Sequence, residues 1–575
     1  MLRWRAMHME HLKIGRLHIG IGSYGLTAVG IIAVGVFIRV LLLSQGWPHT
    51  TMDEGTLGEM AMNIAYHGEH PLFFYGQNYM GSLQAYLAAG VFHIFGASLF
   101  SLRIGLVFLF VLFLISMYLL ASLLYTKKLA LYSILLLSLG ASNLIYRELQ
   151  AIGGYPESLL FGSLTILFAS WLALTSDLKV SPGRQRWRMV TYFGWGVAVG
   201  LGLWSDLLVV PMVVMSGLLL LLFCLRDMRT WALLYLLLGL AIGGLPLIIY
   251  NLHANHNNNT LATVIILYHG GAAHGSVHQL LTHSIISTLL ISLPTISSYN
   301  PVCDVSSTLF FGGKGPGAIQ CAVFQGAWSL IFIALWITAV FLAIRSIWKL
   351  VHQTPSSART LDDKQDIIRS CTHLAVLPSA GISFLLFAIS PTATLSPYLD
   401  ARYLLCVLIA IPAVIYPLRN AATSGDREAL GRFARIIKVD SKRFILVCIA
   451  LMFLIGTVRT FGEIPSTQAT NQQQEELVQQ LLRIGAKHIY SDFWSCDRIV
   501  FQSYQQIACS VMTEQLQHFS DRYKPNGVIV QSDPGASYVF PIYSPQAHAS
   551  ALRFSNSHRP YRHFILDGYV VYQPE

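Results

Sequence analysis

An acidic pair, Asp53-Glu54, follows directly on the first long apolar run, in the stretch Pro48-His49-Thr50-Thr51-Met52-Asp53-Glu54-Gly55. A reaction that activates a hydroxyl needs a carboxylate within hydrogen-bond reach of the proton it takes, and Asp53 is the leading candidate for that role. The pair also suits a plainer reading. With Glu59 it can favour the N-terminus of a short helix, where acidic side chains are stabilised. A site that holds a phosphate needs Lys or Arg, and Arg offers a two-pronged fork. No Lys or Arg lies between Gln45 and Leu102, but Arg39, Arg103, Arg147 and Arg402 occur singly elsewhere, with Glu148, Glu157, Asp206 and Asp400. Ionisable groups in or beside apolar spans are costly and are functional candidates by default, although anchors and structural ion pairs use the same residues.

These residues need a membrane frame to position them. The chain has 575 residues, 54% hydrophobic and 11% charged, with mean hydropathy +0.54. A soluble domain carries about 25% charged residues, and several runs here approach the ~20 residues that cross a bilayer. The expected fold class is an α-helical polytopic membrane protein of about eleven transmembrane helices with a small α/β extracytoplasmic C-terminal domain. The net charge of +10 does not imply nucleic acid, because the basic residues cluster in short loops between spans. That clustering fixes orientation. Twenty-four Lys and Arg fall on the proposed inner segments, against three on the outer ones before residue 461, namely Arg147, Lys314 and Arg402. The N-terminus is therefore placed in the cytoplasm, and Leu26–Leu43 is read as a retained first span.

Residues 1–461 form the proposed transmembrane domain, with outer loops at 45–100 and 251–325. In the first loop Leu57, Met60, Ala61 and Ile64 recur at helical spacing and predict a surface helix. Met80–Phe95 reads as interfacial, and Leu129–Tyr146 and Trp231–Tyr250 read as spans. The apolar piece Ile285–Ile296 in the second long loop is expected to dip into the membrane surface. Residues 462–575 form the extracytoplasmic domain, with an amphipathic helix over Gln472–Arg483 and short β-like runs at His488–Tyr490, Ile499–Phe501, Val528–Val530 and Tyr569–Tyr572. An oxidising exterior would allow two disulfides, Cys303–Cys321 and Cys496–Cys509, or leave these thiols free.

The aromatic run Phe73-Phe74-Tyr75-Gly76-Gln77-Asn78-Tyr79-Met80-Gly81 suits stacking on a sugar ring, or equally an aromatic belt at the interface. His269, His274, His278 and His283 share one outer segment but show no fixed metal-ligand set. No Walker motif, dinucleotide fingerprint or Gly-x-Ser-x-Gly elbow is present.

Taken together, the chain resembles the GT-C class of integral membrane glycosyltransferases, and within it the branch of protein O-mannosyltransferases and aminoarabinose transferases. The resemblance covers about residues 20–420 and rests on Asp53-Glu54 after the first span, the run Tyr75–Leu83, Gly154-Tyr155-Pro156-Glu157, and Arg402-Tyr403 ahead of Pro412. It implies a polyprenyl-phosphate sugar as donor, a lipid, glycan or protein acceptor, and membrane lipids as surroundings, with no nucleic acid. It implies Asp53 as the base of an inverting displacement, with Glu54 orienting the acceptor or a metal. Arg402 would grip the donor phosphate. Tyr75, Gln77, Asn78, Tyr79 and Glu157 would line the substrate. No cofactor is certain; a divalent metal is possible. The class's basic residue in the first loop has no counterpart here, which shifts the phosphate contact to Arg39, Arg103, Arg147 or Arg402. The rival reading is a transporter or flippase of lipid-linked saccharides. Internal pseudo-symmetry would mark that class, and no repeat between the halves is visible. A non-catalytic scaffold has no need of the acidic pair.

Overall fold

The computed structural model describes residues 22–176, 182–255, 258–270, 277–297, 312–353, 359–419, 432–555 and 560–575. It is a multi-pass membrane protein with a C-terminal sheet domain. Among the described residues, seven helices are long and apolar enough to cross a membrane, or up to nine if each of two bent pairs is one span. The single helices include Ser23–Ser44, Leu99–Leu124, Tyr155–Leu174 and Leu361–Ala388.

Two of the expected spans are not straight. The first breaks between Lys127–Leu139 and Ser142–Leu149, with a bend of 75°. A break inside an apolar layer frees carbonyls that must find new donors. Arg39 supplies them: its guanidinium donates to the Ser138 carbonyl at 2.6 Å and the Leu137 carbonyl at 3.3 Å. It also holds Glu148 on the far side of the break at 2.6 Å. The second bend, 66°, separates Trp231–Gly243 from Leu245–His253. Just before it, Gly239 and Gly243 meet Gly196 and Gly200 of the helix Pro182–Ser205. A Cβ on Gly196 or Gly239 would stand 2.2 Å from a carbonyl oxygen of the facing helix. Small residues four apart on both helices allow this close crossing, the usual means of packing helices within lipid.

The apolar piece of the second long loop does not stand alone. It forms the short apolar helix Leu281–Ser297, and the hydroxyls of that helix bond to the loop before Asp400: Ser284 to Thr394 at 2.7 Å and Ser292 to the Pro397 carbonyl at 2.8 Å. Four serines and threonines on an otherwise apolar piece were the unread sign that it packs on protein.

The C-terminal domain is entered by the helix Ile464–Arg483, which buries Leu477, Val478 and Leu481. Its sheet comprises β1 (His488–Ser491), β2 (Ala508–Val511), β3 (Ser537–Pro541), β4 (Tyr561–Leu566) and β5 (Tyr569–Pro574), in the order β2-β1-β3-β5-β4. β1 pairs parallel with β2 and β3, and β5 antiparallel with β3 and β4. Two expected strands are helical. Ile499–Phe501 lies within Cys496–Gln502, and Val528–Val530 within Lys524–Gln531. A short β-branched run carries no period that separates strand from buried helix. Here the parallel β1–β2 pair requires a crossover between its strands, and Pro525 in the first turn opens the second helix. Cys496 and Cys509 are joined, with Cα atoms 5.5 Å apart. Cys303 lies outside the described residues, as does any account of its pairing with Cys321.

Candidate active site

The first-loop helix is Met52–His67, one residue after Thr51. It is far more buried than a helix on a membrane surface: Leu57, Met60 and Ala61 are fully enclosed. The C-terminal domain covers it. A Cβ on Gly55 would lie 2.6 Å from the Asp497 carbonyl oxygen, and one on Gly58 would lie 2.4 Å from the Phe501 ring. The spacing Gly55-x-x-Gly58 thus lets the helix Cys496–Gln502 seat directly on it. Thr56 donates to Asp497 at 2.5 Å, and Asn526 donates to Glu59 at 2.7 Å. Glu59 and Asp497 are both buried. Burial holds each carboxyl above the usual carboxylate range, and for Glu59 the nearby charge of Asp497 adds to that.

Asp53 sits in the first turn of this helix at the open edge of the contact, with its side chain one third exposed (33%). Its Oδ1 forms an ion pair at 2.7 Å with Nη2 of Arg522, a residue of the C-terminal domain. The Arg522 guanidinium lies over Phe74 and Phe493, 5.1 and 5.4 Å from the ring centres. Its Nη1 is buried without a hydrogen-bond partner. Sequence reasoning missed Arg522, because nothing within the domain's own pattern marks it. The one available signal was the lack of any cation in the first loop.

Glu54 and Arg103 stand differently. They form a fully buried fork-to-fork pair, Nε to Oε1 and Nη2 to Oε2, both 2.6 Å. Oε1 of Glu54 also accepts the Ala151 N–H at 3.2 Å, and Arg103 reaches the Gly46 carbonyl at 3.4 Å. The pair ties the first-loop helix to a span and to the loop after residue 149. Arg103 thus gives its Nε and Nη2 to Glu54, and Arg39 is held by Glu148.

Arg147 and Arg402 are the two remaining arginines of the four. Arg147 donates to Gln150 at 3.2 Å and to the Leu399 carbonyl at 3.3 Å. Arg402 pairs with Asp400 at 3.4 Å and lies over Tyr155 and Tyr403. Their charges are close enough to repel, and Nε of each is buried without a partner. Asp206 also feels the charge of Arg402, and burial raises the Asp206 carboxyl to about 6. Tyr79 senses the charges of both parts of the site. Its phenol, raised to about 12 chiefly by burial, feels both Arg522 and Arg402. Gln150 links Arg147 to Thr51 at the head of the first-loop helix through a 3.2 Å bond.

The other expected lining residues are divided. Gln77 keeps a buried Oε1 without a partner. The Asn78 carbonyl accepts from Thr260 at 2.9 Å. Tyr75 stacks on Tyr523 with ring centres 4.9 Å apart, and both phenols bond Glu69. One of its ring faces is thus given to domain docking. Glu157 bonds Gln84 at 2.8 Å, and Gln84 in turn accepts the Gly153 N–H at 3.0 Å. That network braces the turn before the span Tyr155–Leu174, where Gly153 and Gly154 have φ of +86° and +74°. Among the described residues no group of three or more His, Cys, Asp or Glu could hold a metal ion. His274 and the side chains of His269 and His278 lie outside them.

The stretch Asp400–Ala410, which carries Arg402, also contributes Val407 to an apolar space in the bundle. A cavity of about 270 Å³ is lined by Leu293, Phe332, Trp336, Phe384 and Val407. Phe332 also borders a second apolar cavity with Trp328, Ile415 and Phe453.

No sequence family and no curated protein matches the chain. Solved structures do. The crystal structure of ArnT from Cupriavidus metallidurans bound to undecaprenyl phosphate aligns over 95% of this chain and 97% of that one, at 12% identity and a TM-score of 0.56. The Archaeoglobus fulgidus oligosaccharyltransferase in the apo form aligns over 97% and 75%, at 12% identity and a TM-score of 0.46, too low to carry an argument. At 12% identity the likeness to ArnT is one of fold, and it is the fold that the resemblance in the first loop implied.

Proposed function

We propose that the protein transfers a sugar from a polyprenyl-phosphate carrier to an acceptor hydroxyl on the extracytoplasmic side, with Asp53 as general base. The observation that carries the reading is a carboxylate one third exposed with, across the Thr51–Gln150–Arg147 link, one buried and one mostly buried guanidinium whose Nε donors are unfilled. A buried unpaired donor costs about 1–3 kcal/mol, so Arg147 and Arg402 favour an anion that brings oxygen acceptors. A lipid phosphate is such an anion, and the apolar space lined by Phe332 and Val407 suits its tail. The ArnT structure of the same fold is bound to undecaprenyl phosphate, which makes that carrier class the one to test.

In the displacement, the acceptor oxygen attacks the anomeric carbon as Asp53 takes its proton. The bond from that carbon to the phosphate oxygen breaks, and the electron pair leaves on the phosphate. The configuration inverts, and the added negative charge on the departing polyprenyl phosphate is met by Arg147 and Arg402. Glu54 serves the site indirectly, by fixing the helix that carries Asp53. No step requires a metal.

The transporter reading draws on one observation, the two bent helix pairs, since broken helices mark many transporter sites. One of these bends is accounted for by Arg39, whose donors cap the freed carbonyls. Arg147→Gln and Arg402→Gln are each expected to weaken binding of polyprenyl phosphate by about 10–100-fold, the worth of one charge-assisted hydrogen bond. Equilibrium binding to the purified protein measures this. Unchanged affinity in both variants would remove the phosphate from this cluster.

A further inference from the structure

We infer that the C-terminal domain completes the transfer site through Arg522, which holds Asp53 in position and offers its remaining nitrogen to the donor phosphate. The inference rests on the reading of Asp53 as the base. That reaction sets two anions, a carboxylate and a lipid phosphate, on one side of the site, where like charges disfavour each other. A guanidinium is planar and always charged, and its separate edges can serve two oxyanions at once. Arg522 meets that need. Nη2 is 2.7 Å from Oδ1 of Asp53. Nη1 is buried and has no acceptor, although a purely structural ion pair has no reason to leave it so. The ring faces of Phe74 and Phe493 hold the guanidinium from both the first loop and the C-terminal domain. The Arg522 stem packs on Gly76, where φ is +74° and an added Cβ would lie 3.0 Å from Arg522 Cγ. Gly76 and Phe74 belong to the aromatic run of the first loop. One use of that run is therefore to seat a cation that the first loop itself does not contain. Tyr79, from the same run, feels the charges of both Arg522 and Arg402.

The experiment uses the full-length protein in lipid nanodiscs and measures both transfer from a polyprenyl-phosphate sugar and binding of polyprenyl phosphate. Arg522→Ala is expected to lower kcat by about 10²-fold, as removal of a preorganised charge does, and to weaken polyprenyl-phosphate binding by about tenfold. Added guanidinium at millimolar concentration is expected to restore part of the turnover of Arg522→Ala and none of that of Asp53→Asn. Asn526→Ala is the control for docking, because it cuts a bond of the same domain contact at Glu59 and is expected to keep turnover near that of the wild type. Turnover of Arg522→Ala near the wild-type value would overturn the inference. So would an equal loss in Asn526→Ala with no guanidinium rescue, since the loss would then come from undocking. A wild-type protein that binds no polyprenyl phosphate would instead sink the functional reading itself.

Discussion

Replacing Asp53 by Asn is expected to lower turnover by about 10²–10⁴, the usual worth of a general base, with folding and donor binding nearly intact. A hydroxyl is a poor nucleophile near neutral pH, and its attack requires that a proton leave as the new bond forms. Asn preserves the shape of Asp and can still accept a hydrogen bond from Arg522, but it cannot take the proton. Asp53 is one third exposed (33%) and its Asn replacement can keep the bond from Arg522, so the change breaks no hydrogen bond of the contact. The loss should fall on kcat, with the affinity for polyprenyl phosphate held by Arg147 and Arg402. Steady-state kinetics at equal folded concentration separate the two. Near-normal kcat in Asp53→Asn would remove this residue from the chemistry.

The neighbouring acid should behave in the opposite way. Glu54→Gln is expected to destabilise the protein by about 3–5 kcal/mol, the cost of leaving a buried charge without its partner. Glu54 and Arg103 are 0% and 1% exposed, so water cannot replace the lost carboxylate. Replacing both residues with apolar ones of similar volume, Glu54→Leu with Arg103→Met, should recover most of that loss, because such a pair repays little beyond its own desolvation. Thermal unfolding of the purified variants tests this. A Glu54→Gln protein of wild-type stability that had nevertheless lost activity would move Glu54 into the reacting set.

The contrast between these adjacent residues shows what the sequence could and could not carry. Asp53-Glu54 after a first span and ahead of an aromatic run was enough to single out the candidate residues, and the helical spacing of Leu57, Met60 and Ala61 was enough to mark the helix that carries them. Which member of the pair stays open depends on Arg103, 49 residues on from Glu54, and no local pattern reports that contact. The same holds for the four arginines. Arg39 and Arg103 look like Arg147 and Arg402 on the page, and only their partners distinguish a spent guanidinium from one with donors to spare. Gly55 and Gly58 read as ordinary helix weak points until the C-terminal domain is seen to lie on them. In that domain the β-branched runs at Ile499 and Val528 misled because both lie in short helices beside the mixed sheet, the first buried and the second with Val528 and Ile529 exposed. The bend after Leu139 was hidden for a different reason, since its cause, Arg39, lies on another helix.

The most direct test of the central claim uses purified protein reconstituted in sealed vesicles, with a labelled polyprenyl-phosphate sugar in the bilayer and a hydroxyl acceptor outside. The two products to follow are the glycosylated acceptor and free polyprenyl phosphate. The account predicts that both appear together in equal amount, with the sugar inverted at its anomeric carbon, and that Asp53→Asn abolishes nearly all of it. Movement of the intact lipid-linked sugar from one leaflet to the other, with no acceptor modified and no polyprenyl phosphate released, would contradict it and make the protein a transporter.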